Sequence, residues 1–440
     1  MAKKGRFSRI ARITGVSGKV GGSWLGQKVK GAFQSAKERA KGERETQIRG
    51  AREVVKTMGA LKGAAMKVGQ SLAQVAESMD LPDEVSGALR ELNDKAEPVP
   101  FSIIQEDVER ELEAPLDELF SWVDPEPLGT ASLAQAHAAR LPDGTEVVFK
   151  VLHRGIEDAV AADLFALRSM LVTGRMLNRS KAELVDIFDE IQDRLAEELD
   201  YYQEAANIEE LRGVLAGIDG LELPKTHPRY CTERVLTMDR LYGMPMEEFR
   251  KVGSKEARDR AGNIIGSAFH HMLFEARVLH ADPHEGNYLF REDGSVALLD
   301  FGCVKRFDEF WIADYAQLAQ DAFAGKRKET LDGLRAIGGL TSHDKGAEDL
   351  AWDLIEVMCA PFKGENVTLG GPEDHVLEDL KTLAPRYLRY KSVRVPKEMV
   401  YIHRTLTGVY SLGRRLSATG DWGAVATGAH KRAIATARGR

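Results

Sequence analysis

HADPHEGNYLFREDGSVALLDFG, residues 280–302, contains an Asp at 282, an Asn five positions on at 287, and an Asp-Phe-Gly at 300–302. Two short apolar runs, Tyr288–Phe290 and Val296–Leu299, flank a turn signal at Asp293-Gly294, so the piece is expected to form a β-hairpin. A hairpin folds the chain back and brings Asp300 close to Asn287, so that two oxygen ligands face one point. Such a pair suits Mg²⁺ bridging nucleotide phosphates. Asp282, on the loop before the hairpin, is placed to accept the proton of an attacking hydroxyl.

An H-x-D, an Asn at the fifth position and a D-F-G thirteen residues beyond it are together similar to the catalytic grammar of the protein-kinase-like fold. A D-F-G alone would carry little. With 440 residues the chain has room for two or three domains. No apolar run is long enough to span a bilayer and none sits at the N-terminus as a signal, so a cytoplasmic protein is expected. Cys231, Cys303 and Cys359 are widely spaced and odd in number, the pattern of reduced thiols. The net charge of −7 is uneven: the first fifty residues hold 13 Lys/Arg against 3 Glu, leaving −17 for the rest.

Residues 1–45 therefore form a basic arm, read either as a solvated flexible tail or as a peripheral contact to anionic lipid through Trp24 and Leu25. Nucleic acid could use the same charges, but nothing downstream resembles a base-reading module, so no nucleic-acid partner is expected. From Gln47 to Met79 the pattern is helical and rich in small residues, Gly59, Gly63 and Gly69 among them, with Lys67, Gly69 and Gln70 reading Lys-x-Gly-Gln. Three glycines inside a helix cost roughly 1 kcal/mol each against Ala, which points to another element packed very close. Helices are expected at 82–94, 102–112 and 115–120. Pro125 and Pro127 open strand-and-turn sequence, with a lid at Gly129-Thr130-Ala131-Ser132 and a strand, Glu146–Val151, carrying Lys150. Helices over 157–178 and 181–214 follow, the second with the acids Glu197, Glu198, Asp200 and Glu204. Thr232–Leu241 is expected as a strand leading to an interlobe hinge at Tyr242-Gly243, and residues 255–278 as a helix.

These pieces resemble the UbiB/AarF family of atypical, protein-kinase-like proteins over residues 47–415. The resemblance rests on Lys67-Val68-Gly69-Gln70, on Thr130-Ala131-Ser132 with the following Ala-Gln-Ala-His, on Glu198-Leu199-Asp200 with Glu204, and on His280–Asn287. It implies an α+β, bilobal kinase-like fold with an N-terminal helical extension packed over the active site. The expected domains are the arm at 1–45, the Lys-x-Gly-Gln extension at 46–120, a small lobe with inserted helices at 121–243, a helical large lobe at 244–425, and a basic tail at 426–440. By position, Lys150 is the nucleotide-anchoring lysine and Glu204 its ion-pair partner. Asp282 is the catalytic Asp, and Asn287 and Asp300 hold the metal. Gly129, Thr130, Ala131 and Ser132 cover the phosphates. Lys67, Gln70, Glu198 and Asp200 gate the site. The family lid is usually alanine-rich, so Gly129-Thr130 is a departure that bears on ATP versus ADP preference.

The implied activity is that of an ATP/Mg²⁺-dependent phosphotransferase or ATPase supporting isoprenoid quinone (ubiquinone or menaquinone) biosynthesis or lipid homeostasis at a membrane surface. A conventional protein kinase is disfavoured, because no A-P-E or Ser/Thr-rich activation segment follows the D-F-G and His284 stands where protein kinases place a Lys. A peptide substrate is therefore not expected, and a small lipid-like or phenolic quinone-pathway partner is. The alternatives are a nucleotide-binding pseudokinase and a non-enzymatic prenyl-lipid-binding protein.

Overall fold

The computed structural model describes residues 98–162, 164–165, 192, 195–387 and 389–439. The basic arm, the Lys-x-Gly-Gln helix with Lys67 and Gln70, the helix expected at 82–94 and most of that at 157–178 lie outside these residues. The chain divides into two compact units. The first ends at Ala205 and takes back Thr226–Arg240; the second holds Ala206–Lys225 and the residues from Leu241 on. Residues 206–225 thus group with the second unit, not with the small lobe expected at 121–243.

The first unit is built on an antiparallel four-stranded sheet, in the order Trp122–Thr130, Ala134–Arg140, Glu146–Leu152, Val235–Asp239. Alternation decides its faces. Val147, Phe149 and Val151 are buried on one side of Glu146–Leu152, which leaves Val148 and Lys150 on the other. The buried face packs on the helices Phe101–Leu112 and Leu116–Leu119 through Ile104, Val108, Leu116 and Leu119. Phe149 stacks between Phe120 and His137, with centroids 5.3 and 5.5 Å away.

One helix was expected over 181–214, and the structure breaks it. A helical turn stops at Leu199-Asp200, and a new helix, Tyr201–Leu215, begins where Asp200 Oδ1 accepts from Gln203 N at 3.1 Å. An Asp that satisfies a first-turn N–H favours a helix start over a helix interior.

The second unit is mostly helical. The hairpin Tyr288–Phe290/Val296–Leu298 forms as expected and extends into a three-stranded sheet with Leu221–Glu222. Its turn needs glycine at Gly294, where φ is +83° and a side chain would run into the backbone of Ala257. Asp293 Oδ1 closes the turn by accepting from Ser295 N and Oγ at 2.9 and 2.7 Å. The helix Lys255–His270 starts on a Ser254 cap and continues as a π-helical turn, His271–Ala276. Gly262 and Gly266 let it receive Ala418 and Trp422 at close range. Among the described residues, no helix is long and apolar enough to cross a membrane.

The expected basic tail at 426–440 is instead the body of a packed helix, Trp422–Arg438. Trp422, Ala426, Ala429, Ala433 and Ala437 recur at helical spacing and are buried, while Arg432 reaches Glu275 at 2.8 Å. Charge dominated the sequence reading because alanines at the buried positions are individually weak hydrophobic signals.

Three histidines of this unit, His270, His403 and His430, are held neutral by burial, which lowers their pKa values to about 4, about 4 and about 3. A base depressed in the fold has no effect on stability above its ordinary value of about 6.5. Below it, the unfolded chain binds protons that the folded chain does not. Melting temperature is expected to fall as pH drops from about 6.5 to about 4, and His430→Gln to flatten that slope. An unchanged slope in the variant, followed by differential scanning fluorimetry, would remove His430 from the acid sensitivity.

Candidate active site

In the first unit, the face of Glu146–Leu152 turned away from the core presents Lys150, whose Nζ donates to Glu204 Oε1 at 2.7 Å. The two side chains are 17% and 7% exposed, so the pair is shielded enough to hold its geometry. Glu204 lies in the first turn of Tyr201–Leu215, where the helix dipole also favours a carboxylate. Glu198 and Asp200 stand just before that helix, half-buried, and Asp200 serves as its cap.

The Ala-Gln-Ala-His segment that follows the lid has a structural part to play. Gln135 is buried, accepts from Val99 N at 2.8 Å and donates to Val99 O at 3.2 Å. Its amide also donates to His137 Nε2 at 2.9 Å, so the proton of His137 sits on Nδ1, which donates to Asp124 O at 2.8 Å. Burial lowers the pKa of His137, in keeping with this neutral tautomer. The lid residues Gly129, Thr130, Ala131 and Ser132 join the first two strands, and Ala131 N donates to Ala134 O at 2.8 Å. Gly129 is exposed, and a Cβ there would meet nothing within 4 Å, so neither sterics nor a left-handed backbone demands glycine at this position.

In the second unit, the strands Val278–His280 and Val304–Arg306 pair antiparallel and hold the H-x-D and D-F-G segments side by side. His280 is buried and its Nε2 donates to the backbone carbonyl of Asp300 at 2.7 Å. Burial is the main cause lowering its pKa, and the neutral ring is the form that pairs here. Phe301 is fully buried, and its carbonyl accepts from Asn207 Nδ2 at 2.9 Å. Gly302 N donates to Asp300 Oδ1 at 3.2 Å, which fixes the carboxylate against its own turn.

Asn287 sits where the hairpin begins. Leu299 N donates to its carbonyl at 2.9 Å, so Asn287 and Asp300 occupy the same end of the ladder. Its side-chain amide donates to Asp282 O at 2.9 Å and Asp282 Oδ2 at 3.2 Å. The nitrogen is thereby committed, and the amide oxygen is left as the group able to meet a cation. On the other side of Asp282, Arg404 Nη2 donates to Ala281 O at 2.9 Å and lies 3.4 Å from Asp282 Oδ1. His284 is exposed, and its Nδ1 accepts from Gly286 N at 3.1 Å.

Two groups of expected residues are therefore each brought together: Lys150 with Glu204, and Asp282 with Asn287 and Asp300. Lys67 and Gln70 lie outside the described residues. Sequence reasoning missed Asn207, His280 as an anchor, and Arg404. Asn207 follows Glu204 by three positions on one helix, a spacing that could have drawn notice. Arg404 comes from Lys397–Leu416, 122 residues after Asp282, and has no local signal.

The residues fit a metal–nucleotide better than a metal alone. Among the described residues, no three His, Cys, Asp or Glu side chains form a ready cage. One carboxylate and one amide oxygen are what Mg²⁺ takes from a protein when phosphates and water supply the rest of its shell.

Comparisons with known proteins identify the family. The model of the ABC1 atypical kinase-like domain family matches residues 91–332, more than half of the chain. An uncharacterised chloroplastic aarF domain-containing protein kinase of Arabidopsis thaliana is 33% identical over 357 residues, covering 77% of this chain and 65% of the relative. The mitochondrial atypical kinase coq-8 of Caenorhabditis elegans is 26% identical, covering 83% of this chain and 49% of the relative. A probable protein kinase UbiB of Pseudomonas aeruginosa is 27% identical, covering 76% of this chain and 63% of the relative. The chain thus spans about half to two thirds of these relatives' length. A Mycobacterium tuberculosis protein solved in complex with erythromycin has the same fold, with a TM-score of 0.64, 23% identity, and coverage of 89% of this chain and 97% of that one.

Removing one member of a shielded ion pair leaves the other charge uncompensated. Glu204→Leu is expected to cost on the order of 1–3 kcal/mol, and Lys150→Met added to it to recover part of that loss. Chemical denaturation of wild type, Lys150→Met, Glu204→Leu and the double variant checks this; a double variant that loses as much as the two single losses added together would mean that the residues are not coupled. Gly129→Ala is expected to leave stability unchanged or slightly raised.

Proposed function

The chain belongs to the ABC1 atypical kinase-like family, the UbiB/AarF group, and on that premise we propose that it is an Mg²⁺-dependent ATPase or phosphotransferase. The observation that carries this reading is the hydrogen-bonded pair Asp282–Asn287 at the end of the hairpin that also bears Asp300. Asp300 and the Asn287 oxygen would hold Mg²⁺, which when bound neutralises phosphate charge. Lys150, oriented by Glu204, would bind nucleotide phosphate. Asp282 would accept the proton of the attacking hydroxyl or water, with Arg404 and Asn287 fixing its orientation from two sides.

The acceptor favoured here is a small molecule. Only six residues, 303–308, separate Gly302 from the helix Glu309–Phe323, and three of them form the strand Val304–Arg306. That leaves no extended activation segment on which a peptide could lie. The family resemblance points to a lipid-like or phenolic molecule of isoprenoid quinone biosynthesis, ubiquinone or menaquinone, met at an anionic membrane surface.

Phosphate release from MgATP, assayed with and without liposomes and a panel of phenolic quinone precursors, tests the reading. Asp282→Asn is expected to keep MgATP affinity and to lose about 10²- to 10⁴-fold in turnover, the usual contribution of a positioned base. Full turnover in Asp282→Asn, or nucleotide binding with no turnover under any of these conditions, would overturn it.

A further inference from the structure

The helical body of the second unit contains a partly open cavity of about 100 Å³ whose lining includes none of the residues assigned to nucleotide, metal or proton transfer. Phe269, Phe274, Phe323 and Phe362 supply much of its wall. An apolar void of about this size commonly stays dry and accepts a single benzene-sized ring. Its polar groups are the Tyr315 hydroxyl, the Cys359 thiol and three histidines, His270, His403 and His430, and the structure gives two of the histidines a hydrogen-bond partner. His270 Nδ1 donates to Gly266 O at 2.8 Å. Gln320 Nε2 donates to His430 Nδ1 at 3.0 Å. His403 has no hydrogen-bond partner among the described residues, although it lies deep in the helical body and keeps accessible surface.

A polar ring this deep without a partner is rare, because its lost hydration is not repaid. Burial keeps the ring of His403 uncharged at neutral pH, with one nitrogen able to donate and the other to accept. No carboxylate, lysine or arginine is among the lining residues, so a charged ligand would lose its hydration without compensation. We propose that this cavity is a binding site for a small uncharged molecule consisting of one aromatic or alicyclic ring with a single hydroxyl or carbonyl, the ring held by the phenylalanines and the polar group by His403.

Saturation-transfer NMR on the full chain with benzyl alcohol, toluene and benzylammonium tests this, with wild type, His403→Leu and Ala319→Leu, whose larger side chain fills the cavity. Wild type is expected to bind benzyl alcohol best, toluene more weakly and benzylammonium not at all. His403→Leu is expected to lose about five- to tenfold for benzyl alcohol and nothing for toluene, the effect of one hydrogen bond. Ala319→Leu is expected to lose both. Equal binding of the three probes, or benzyl alcohol binding unchanged in both variants, would overturn the proposal. Should Ala319→Leu fail to fold, the ¹⁵N shifts of the wild-type His403 ring decide: they move on adding benzyl alcohol if the site is real, and stay fixed if the cavity is only a packing defect.

Discussion

The bond from His280 Nε2 to the carbonyl of Asp300, 2.7 Å long and made by a buried imidazole, is the constraint on which the candidate site of the second unit rests. It joins the H-x-D segment to the D-F-G segment at the point where each must leave its strand. Ala281 N donating to Cys303 O at 2.9 Å continues the same ladder past the strand ends. With these two backbone paths locked, Asp282, Asn287 and Asp300 have little freedom left: Asn287 and Arg404 hold the first, the hairpin register holds the second, and Gly302 N holds the third. A short two-stranded clamp inside a largely helical unit sets the positions of three separated polar side chains.

The first unit achieves positional control by a different route. The pleat of Glu146–Leu152 commits Phe149 to the core, so its neighbour Lys150 must face away from it. Gln135 and His137, buried and fully hydrogen-bonded, fix the adjoining strand to Val99 and Asp124. Motif residues that look chemical in the sequence are here ties between backbone segments. Their identity is dictated by donor and acceptor count, since an amide that both accepts and donates is needed opposite a backbone N–H and C=O.

Much of this was legible in the sequence because it is local or repetitive. The hairpin could be read from Asp293-Gly294 between two apolar runs, and the Lys150 strand from alternation. The Lys150–Glu204 pairing followed from family position and is present as an ion pair. What escaped was long-range or carried by small residues. Arg404 contacts Asp282 across 122 residues and looks like any surface arginine on an amphipathic helix. The Trp422–Arg438 helix hides its buried stripe in alanines, so its cations dominated the reading. The break at Leu199-Asp200 depended on one Asp choosing a cap over a helical interior, a competition that periodicity does not register.

The central claim is that the hairpin end bearing Asn287 and Asp300 holds a divalent ion only together with nucleotide. Electron paramagnetic resonance with Mn²⁺ in place of Mg²⁺ tests it most directly. The account predicts that Mn²⁺ binds weakly alone, binds tightly once ATP or ADP is added, and loses the nucleotide-dependent component in Asp300→Asn while retaining it in Asp282→Asn. Tight Mn²⁺ binding without nucleotide, or an Asp300→Asn titration that superimposes on wild type, would contradict it.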